Sequence, residues 1–236
     1  MASALIHEII PVGMLQCNCS ILGDPATREA IVVDPGDDVE SILAALKQHS
    51  LNVRAIVSTH THIDHVGGLA ALHEATHAPV LIHEADLPLY QHLDRQAQWL
   101  GVPTPSITTI KDFVKEADTL HWGPYEARIL HTPGHTPGSI SLVVGEKNAN
   151  TPSGAGSHTH HHGHPPNDAA PDRLLAGDTL FEGSIGRTDL WGGSLTQILR
   201  SIHEKLLTLP DSVVVYPGHG DTTTIGAERE HNPFLR

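Results

Sequence analysis

The stretch Thr59-His60-Thr61-His62-Ile63-Asp64-His65-Val66-Gly67-Gly68 sets three imidazoles and a carboxylate close together, directly after Val53-Arg54-Ala55-Ile56-Val57. A run rich in β-branched residues predicts a strand, and a strand ending in a polar loop commonly holds ligands at the carboxyl edge of a sheet. His60 and His62 stand two apart, so on extended chain both side chains project to the same side, which suits one metal ion. Asp64 and His65 follow as the chain turns toward Gly67-Gly68 and the apolar-periodic Leu69-Ala70-Ala71-Leu72, so they are free to face a second ion. Neutral imidazole and carboxylate are borderline-to-hard ligands that suit Zn, Fe or Mn better than thiolate-seeking metals. The spacing is not the helical His-Glu-x-x-His pattern, which puts its histidines four apart on one face. One isolated histidine would read as a solvated turn residue; a cluster of this density reads as a metal site.

The rest of the composition narrows the class. A chain of 236 residues with 39% hydrophobic and 17% charged content can build a globular core and suits one large domain or a domain with a small appendage; a single domain over residues 1–236 is the expectation. Against 27 acidic residues stand 14 basic ones, a formal net charge of -13, so a nucleic-acid partner held through its phosphates is not expected. Cys17 and Cys19 are too close in sequence to frame a disulfide and read as reduced thiols of a cytoplasmic protein. No apolar run approaches membrane-spanning length, and Met1-Ala2-Ser3-Ala4 enters a strand pattern without a basic flank, so neither a membrane partner nor a secretory signal is expected. The 20 histidines outnumber all lysines and arginines together, which keeps metal binding as the theme.

Taken in order, Leu5 to Ile10, Cys17 to Leu22 and Ala30 to Val33 read as strands, the last ending in the turn Asp34-Pro35-Gly36. Asp34 either initiates that turn or lies beneath the metal site and orients a ligand imidazole, since ligand histidines need an outer acceptor. Val39 to His49 has helical periodicity, as do Leu69 to about Glu74 and, despite Pro88, Glu84 to Leu100. Val80 to His83 is a strand. His73, His77 and His83 read as surface or core-edge residues. Gly101 to Glu116 resembles a loop over the site. Thr119 to His121, Tyr125 to Leu130 and Ser139 to Val144 alternate like strands. Residues 146–172, with five imidazoles between His158 and His164, are poor in core-forming residues and are expected to be a flexible insertion dispensable for catalysis. Leu174 to Asp178 resumes as a strand. A loop from Thr179 to Gly193, a helix from Ser194 to Leu207, a strand from Val213 to Tyr216 and a short helix around Ala227 complete the chain.

Four apolar strands thus end in a ligand-type residue beside glycine: His60/His62, His135, Asp178 and His219. Their coincidence implies convergence on one sheet edge. The order His-x-His-x-Asp-His, then a histidine, an aspartate and a final histidine, resembles the metallo-β-lactamase superfamily over essentially the whole chain outside the insertion. The resemblance implies an α+β four-layer αββα sandwich, with mixed sheets inside and helices outside. It also implies two divalent metal ions, Zn as first choice and Fe or Mn as alternatives. One would be held by His60, His62 and His135, the other by Asp64, His65 and His219, with Asp178 bridging.

Three further motifs resemble the type II glyoxalase (hydroxyacylglutathione hydrolase) branch in its short bacterial form. They are Thr132-Pro133-Gly134-His135-Thr136-Pro137-Gly138, Gly177-Asp178-Thr179-Leu180-Phe181 with Gly186-Arg187-Thr188-Asp189, and Tyr216-Pro217-Gly218-His219-Gly220 with Asn232-Pro233-Phe234. Longer members add a C-terminal helical domain that supplies basic contacts to glutathione. Only a short tail follows His219 here, so those contacts do not carry over. Arg187 then has two readings, an anchor for a substrate carboxylate or a tie for its own loop.

The expected chemistry follows from the ligand types. Two divalent ions lower the pKa of a shared water to about 7, with Asp64 placed to accept a hydrogen bond from the hydroxide. A thiol of pKa about 8.5 leaves as thiolate without an obligatory acid, whereas an amide nitrogen needs a proton donor, and none is evident. A small-molecule thioester of the S-lactoylglutathione type is the expected substrate. No Gly-x-Ser-x-Gly elbow is present, so a serine nucleophile is set aside. The nearest alternative is an iron-dependent persulfide dioxygenase, a relative with a Gly-Arg-Thr-Asp loop and one iron on the equivalents of His60, His135 and Asp178. Thr179 and Gly68 resemble the hydrolase instead. A metal-buffering binding protein built around the insertion is the alternative from another class, opposed by the intact seven-ligand set.

Overall fold

Residues 4–147 and 172–236 are described by the structure, a computed structural model. Strands β1 (Ile6–Val12) and β2 (Cys17–Gly23) form an antiparallel hairpin, with Val12 opposite Cys17. β3 (Glu29–Val33) pairs antiparallel with β2. Helix α1 (Val39–Gln48) then returns the chain to β4 (Asn52–Val57), parallel to β3. The single turn α2 (Ile63–Val66) and helix α3 (Leu69–Thr76) lead to β5 (Val80–His83), parallel to β4. A 3-10 turn (Glu84–Asp86), α4 (Leu87–Gln91) and α5 (Leu93–Leu100) precede β6 (Asp112–Val114), which completes the sheet order β1-β2-β3-β4-β5-β6.

The second sheet has the order β14-β13-β10-β9-β8-β7. Its strands are β7 (Thr119–Trp122), β8 (Tyr125–His131), β9 (Ile140–Glu146), β10 (Arg173–Gly177), β13 (Val214–Pro217) and β14 (Thr223–Thr224). Between β10 and β13 lie the small hairpin β11 (Leu180–Phe181) and β12 (Ser184–Ile185), then α6 (Leu195–Ser201) running into a π-helical turn over Ile202–Leu206. Helix α7 (Ile225–His231) ends the fold.

Three apolar cores account for the layering. Ile42, Leu46, Leu69, Leu72, Leu93 and Ala97 of the helices pack with Cys19, Ile21, Val32 and Ile56 on the outer face of the first sheet. Leu22, Ile31, Val33 and Val57 meet Ile129, Ile140, Leu142 and Val144 between the sheets. Leu174, Ala176 and Val215 pack with Ile198, Ile202, Leu206 and Ile225 on the outer face of the second. Successive residues of one strand therefore serve different cores, as Ile21 and Leu22 do, because their side chains point to opposite faces. Two sheets face to face with helices outside form the α+β sandwich expected from the sequence.

Where the elements differ from expectation, local chemistry gives the reason. The stretch from Glu84 to Leu100 is three short helical pieces. Pro88 sits in the first turn of α4, where its missing N–H costs nothing, and the break falls at His92 (φ -114°, ψ 34°). Within the expected loop from Gly101 to Glu116, β6 is three residues long, too short for a periodicity to register. The loop from Thr179 to Gly193 contains the equally short β11–β12 hairpin. Apart from residues 146, 147 and 172, the expected insertion lies outside the described residues. Among the described residues no helix is long and apolar enough to cross a membrane.

Candidate metal centre

Strands β8, β10 and β13 run in one direction, since β8 and β10 are each antiparallel to β9 and β13 is parallel to β10. Their carboxyl ends therefore share an edge, and His135, Asp178 and His219 follow from it. The carboxyl end of β4 delivers His60 and His62, and α2 carries Asp64 and His65. All seven predicted ligands come together in three overlapping groups: His60, His62 and His135; His60, His65 and Asp178; and Asp64, His65 and His219. Within each group the donor atoms lie within 4.8 Å of one another.

The donor set fits metal ions on two observations. His135 Nε2 lies 2.9 Å from His62 Nδ1 and 3.2 Å from His60 Nε2, while His219 Nε2 lies 3.2 Å from both His65 Nε2 and Asp64 Oδ2. Zinc–nitrogen bonds of about 2.0–2.1 Å in a tetrahedron place donors about 3.3 Å apart, so this spacing is that of a shared cation. In addition, Asp178 Oδ1 is buried without a hydrogen-bond partner, 3.4 Å from His65 Nε2. A buried carboxylate oxygen left so is costly unless a cation completes it.

Each ring is oriented by what its other nitrogen finds. His135 Nδ1 donates to the carbonyl of Arg187 (2.8 Å), His219 Nδ1 to the carbonyl of Leu15 (3.0 Å) and His65 Nδ1 to Asp34 Oδ2 (3.0 Å). His60 Nδ1 faces Thr59 Oγ1 at 3.2 Å, and that hydroxyl donates to Asp34 Oδ2 at 2.6 Å. These partners set the tautomers and aim Nε2 of four rings into the site. His62 is reversed and presents Nδ1. Of the two readings of Asp34, the geometry selects the outer acceptor: the residue adopts a left-handed backbone (φ 54°) beneath the site and also accepts from the Thr59 N–H at 2.6 Å.

The electrostatics separate the two sides. Burial, reinforced by neighbouring imidazoles, pushes His60 well below the ordinary histidine range and His62 down to about 3, so both are the neutral ligands a cation needs. At His65 burial opposes the charge, but Cys17, Asp178, Asp34 and Asp64 outweigh it and the pKa is raised. Asp64 is held below the carboxylate range because His65 and His219 outweigh its burial. Cys17 and Cys19 are free and buried, and burial drives the Cys17 thiol up to about 12, so neither is a nucleophile.

Arg187 is brought to the wall of the site rather than into it. Its guanidinium makes two 2.8 Å hydrogen bonds to Asp189, the loop-tying arrangement, and its backbone carbonyl is what holds His135. A cavity of about 360 Å³ opens over the donors, walled by Leu15, Trp99, Leu100, Leu190 and Trp191. A neighbouring cavity of about 440 Å³ shares Leu15, Ile63, Asp64 and Leu100 and is closed by Val102, Pro103 and Pro105, so the segment after α5 does line the site. The sequence reading missed two buried residues, Asp86 and Gln96, as well as the carbonyls of Leu15 and Arg187. A backbone acceptor carries no side-chain signal, and Asp86 and Gln96 sit in a segment whose periodicity reads simply as helix.

The family model of the metallo-beta-lactamase superfamily matches residues 12–149 and 151–219. An uncharacterized protein of Mycobacterium leprae is 40% identical over 232 residues, covering 95% of this chain and 96% of its own length. The hydroxyacylglutathione hydrolase GloC of Haemophilus influenzae is 36% identical, with 97% of each chain covered. Among solved structures, the B3 metallo-beta-lactamase BLEG-1 superposes with a TM-score of 0.80 at 34% identity, over 98% of this chain and 99% of its own. TTHA1623 in a di-iron-bound form gives 0.76 at 32%, over 97% and 100%. With the two-sheet sandwich and its histidine- and aspartate-lined edge, these matches place the chain in the metallo-β-lactamase superfamily, among its metal-dependent hydrolases.

Proposed function

We propose that the chain hydrolyses small-molecule thioesters of the glutathione type, S-lactoylglutathione being the model substrate, at a dinuclear centre. The observation that carries this reading is the pair of donor groups, His60/His62/His135 and Asp64/His65/His219, with Asp178 within 3.4–3.8 Å of His65, His135 and His219. Divalent cations held there supply an acidified water and polarise a carbonyl. The chain's own part is to position. The imidazoles would hold the cations, His60 and His62 being neutral before any ion binds, and Asp64, kept ionised by His65 and His219, offers an acceptor that would orient the attacking water. Leu15, Trp99 and Trp191 wall the cavity over the donors and offer apolar surface to a substrate. A thiolate leaves without a proton donor, whereas a lactam nitrogen needs one; GloC is named a hydroxyacylglutathione hydrolase and BLEG-1 a B3 metallo-beta-lactamase.

Zinc is the proposed metal, with iron as the alternative that the di-iron form of TTHA1623 keeps open. The free, buried thiols suit a reducing compartment, and a cytoplasmic location belongs to the proposal. The dioxygenase alternative would use His60, His135 and Asp178 and leave Asp64, His65 and His219 without an ion, although these three also converge. The test pairs metal analysis of the purified protein with S-lactoylglutathione turnover and oxygen uptake on glutathione persulfide. Two ions per chain, thioester turnover and no oxygen uptake are expected, with His219→Ala losing turnover. One iron per chain with oxygen uptake surviving in His219→Ala would overturn the reading.

A further inference from the structure

Asp86 ends the 3-10 turn after β5 and is completely buried. Its carboxylate accepts from three donors on two separate loops. Oδ2 accepts from the Thr61 N–H at 3.1 Å and from the Thr136 hydroxyl at 2.8 Å; Oδ1 accepts from the Gly138 N–H at 2.5 Å. Thr61 lies between His60 and His62, and Thr136 follows His135. The Thr61 hydroxyl also donates to the Asp86 carbonyl at 3.0 Å. On the other side, Gln96 of α5 accepts from the Ile63 N–H at 2.9 Å and donates to the Thr61 carbonyl at 3.2 Å.

A carboxylate is the group this place demands. Two of its partners are backbone N–H groups, which only donate, so a neutral amide would have to turn its own NH2 against one of them. Buried charge is tolerated where several donors converge on it. All the loops so joined carry ligands of one donor group. The His65 ring is held instead by Asp34.

We infer that Asp86 is a positioning residue that clamps the His60/His62 loop to the His135 loop and thereby sets the affinity of that ion, leaving the Asp64/His65/His219 ion unaffected. This rests on the dinuclear reading of the site. Asp86→Asn conserves volume and abolishes one accepting contact. In a His219→Ala background, which leaves the first donor group complete, Asp86→Asn should weaken zinc binding tenfold or more in competition with a colorimetric chelator. In a His62→Ala background, which leaves the second group, the same change should alter affinity less than twofold. The metal-free Asp86→Asn protein should unfold at a somewhat lower denaturant midpoint than the metal-free parent, since a buried N–H is left facing an NH2, so the contrast between the two backgrounds is the readout that a merely structural role would not give.

Equal weakening in both backgrounds, or none in the first, would overturn the inference. If Asp86→Asn does not fold, Thr136→Val removes a single donor to the clamp and should show the same selectivity with a smaller effect; affinity unchanged in the His219→Ala background would then overturn it. A parent that binds one zinc per chain would defeat the dinuclear reading separately. The clamp would still be judged by whether Asp86→Asn weakens that ion.

Discussion

At the scale of single residues, the site depends as much on what is absent as on what is present. A Cβ on Gly218 would lie 2.2 Å from Asp178 Oδ1 and 2.7 Å from His65 Cε1, closer than atoms can approach. Gly218→Ala must therefore displace the carboxylate or the ring. The expected outcome is loss of at least one ion per chain and a fall in turnover of about tenfold or more, since ligand displacement of an ångström carries that order of cost; unchanged metal content by elemental analysis would refute it. Asp178→Ala removes the carboxylate within reach of three ligand histidines, and metal and activity should fall together. Full metal occupancy with normal turnover in that variant would show that Asp178 does not bridge.

At the scale of elements, helices outside the sheets hold the ligand loops. Ser201 of α6 donates to the Pro133 carbonyl at 2.8 Å, and the Ser194 N–H donates to the Gly134 carbonyl at 2.7 Å. Gly134 (φ +139°) passes so close to Ile198 that no side chain fits between them. Ile198 is fully buried, so Ile198→Ala should cost about 2–5 kcal/mol in urea unfolding, as large-to-small core changes do. A loss below about 1 kcal/mol would mean that α6 repacks freely. The Arg187 loop makes the complementary case. Its ion pair with Asp189 is exposed, with more than half of each side chain accessible, and such pairs contribute little to stability. Arg187→Ala should therefore leave the melting temperature within about 1 °C of the parent, yet reduce kcat severalfold by loosening the carbonyl that orients His135. A rise in KM with unchanged kcat would favour the substrate-anchor reading instead.

At the scale of the molecule, the candidate ligands come from both sheets: residues 60–65 leave the first, and His135, Asp178 and His219 leave the second. Bound ions would thus staple the two halves of the sandwich. Stripping metal with a chelator should lower the melting temperature, and an ion present at about a thousand times its Kd contributes about 4 kcal/mol to the native state. A melting temperature indifferent to chelator would argue against tight binding. Deleting residues 150–168 should leave turnover unchanged in metal-replete buffer. The strands on either side, β9 and β10, are hydrogen-bonded neighbours with Val144 opposite Arg173, so a shorter connection can join them. That end of β10 is also a full strand away from Asp178, about 16 Å at about 3.3 Å per residue.

The seven candidate ligands, which the structure gathers at one edge, were legible in the chain, because histidine and aspartate at strand ends combine a local pattern of period two with an uncommon side-chain chemistry. Individual strands and helices were legible through alternation and helical periodicity, and the α+β sandwich was what the resemblance to the metallo-β-lactamase superfamily implied. Only the tertiary structure decided what holds the ligands in place. The acceptors for His135 and His219 are the carbonyls of Arg187 and Leu15, groups that every residue possesses. Asp86 and Gln96 reach Thr61 across separations of 25 and 35 residues. Asp34 could be a turn residue or an outer acceptor until β3 and β4 were seen side by side. Sequence spacing reports which side chains share a face of one element. Which backbone carbonyl or distant carboxylate completes a ligand's second hydrogen bond depends on how those elements pack.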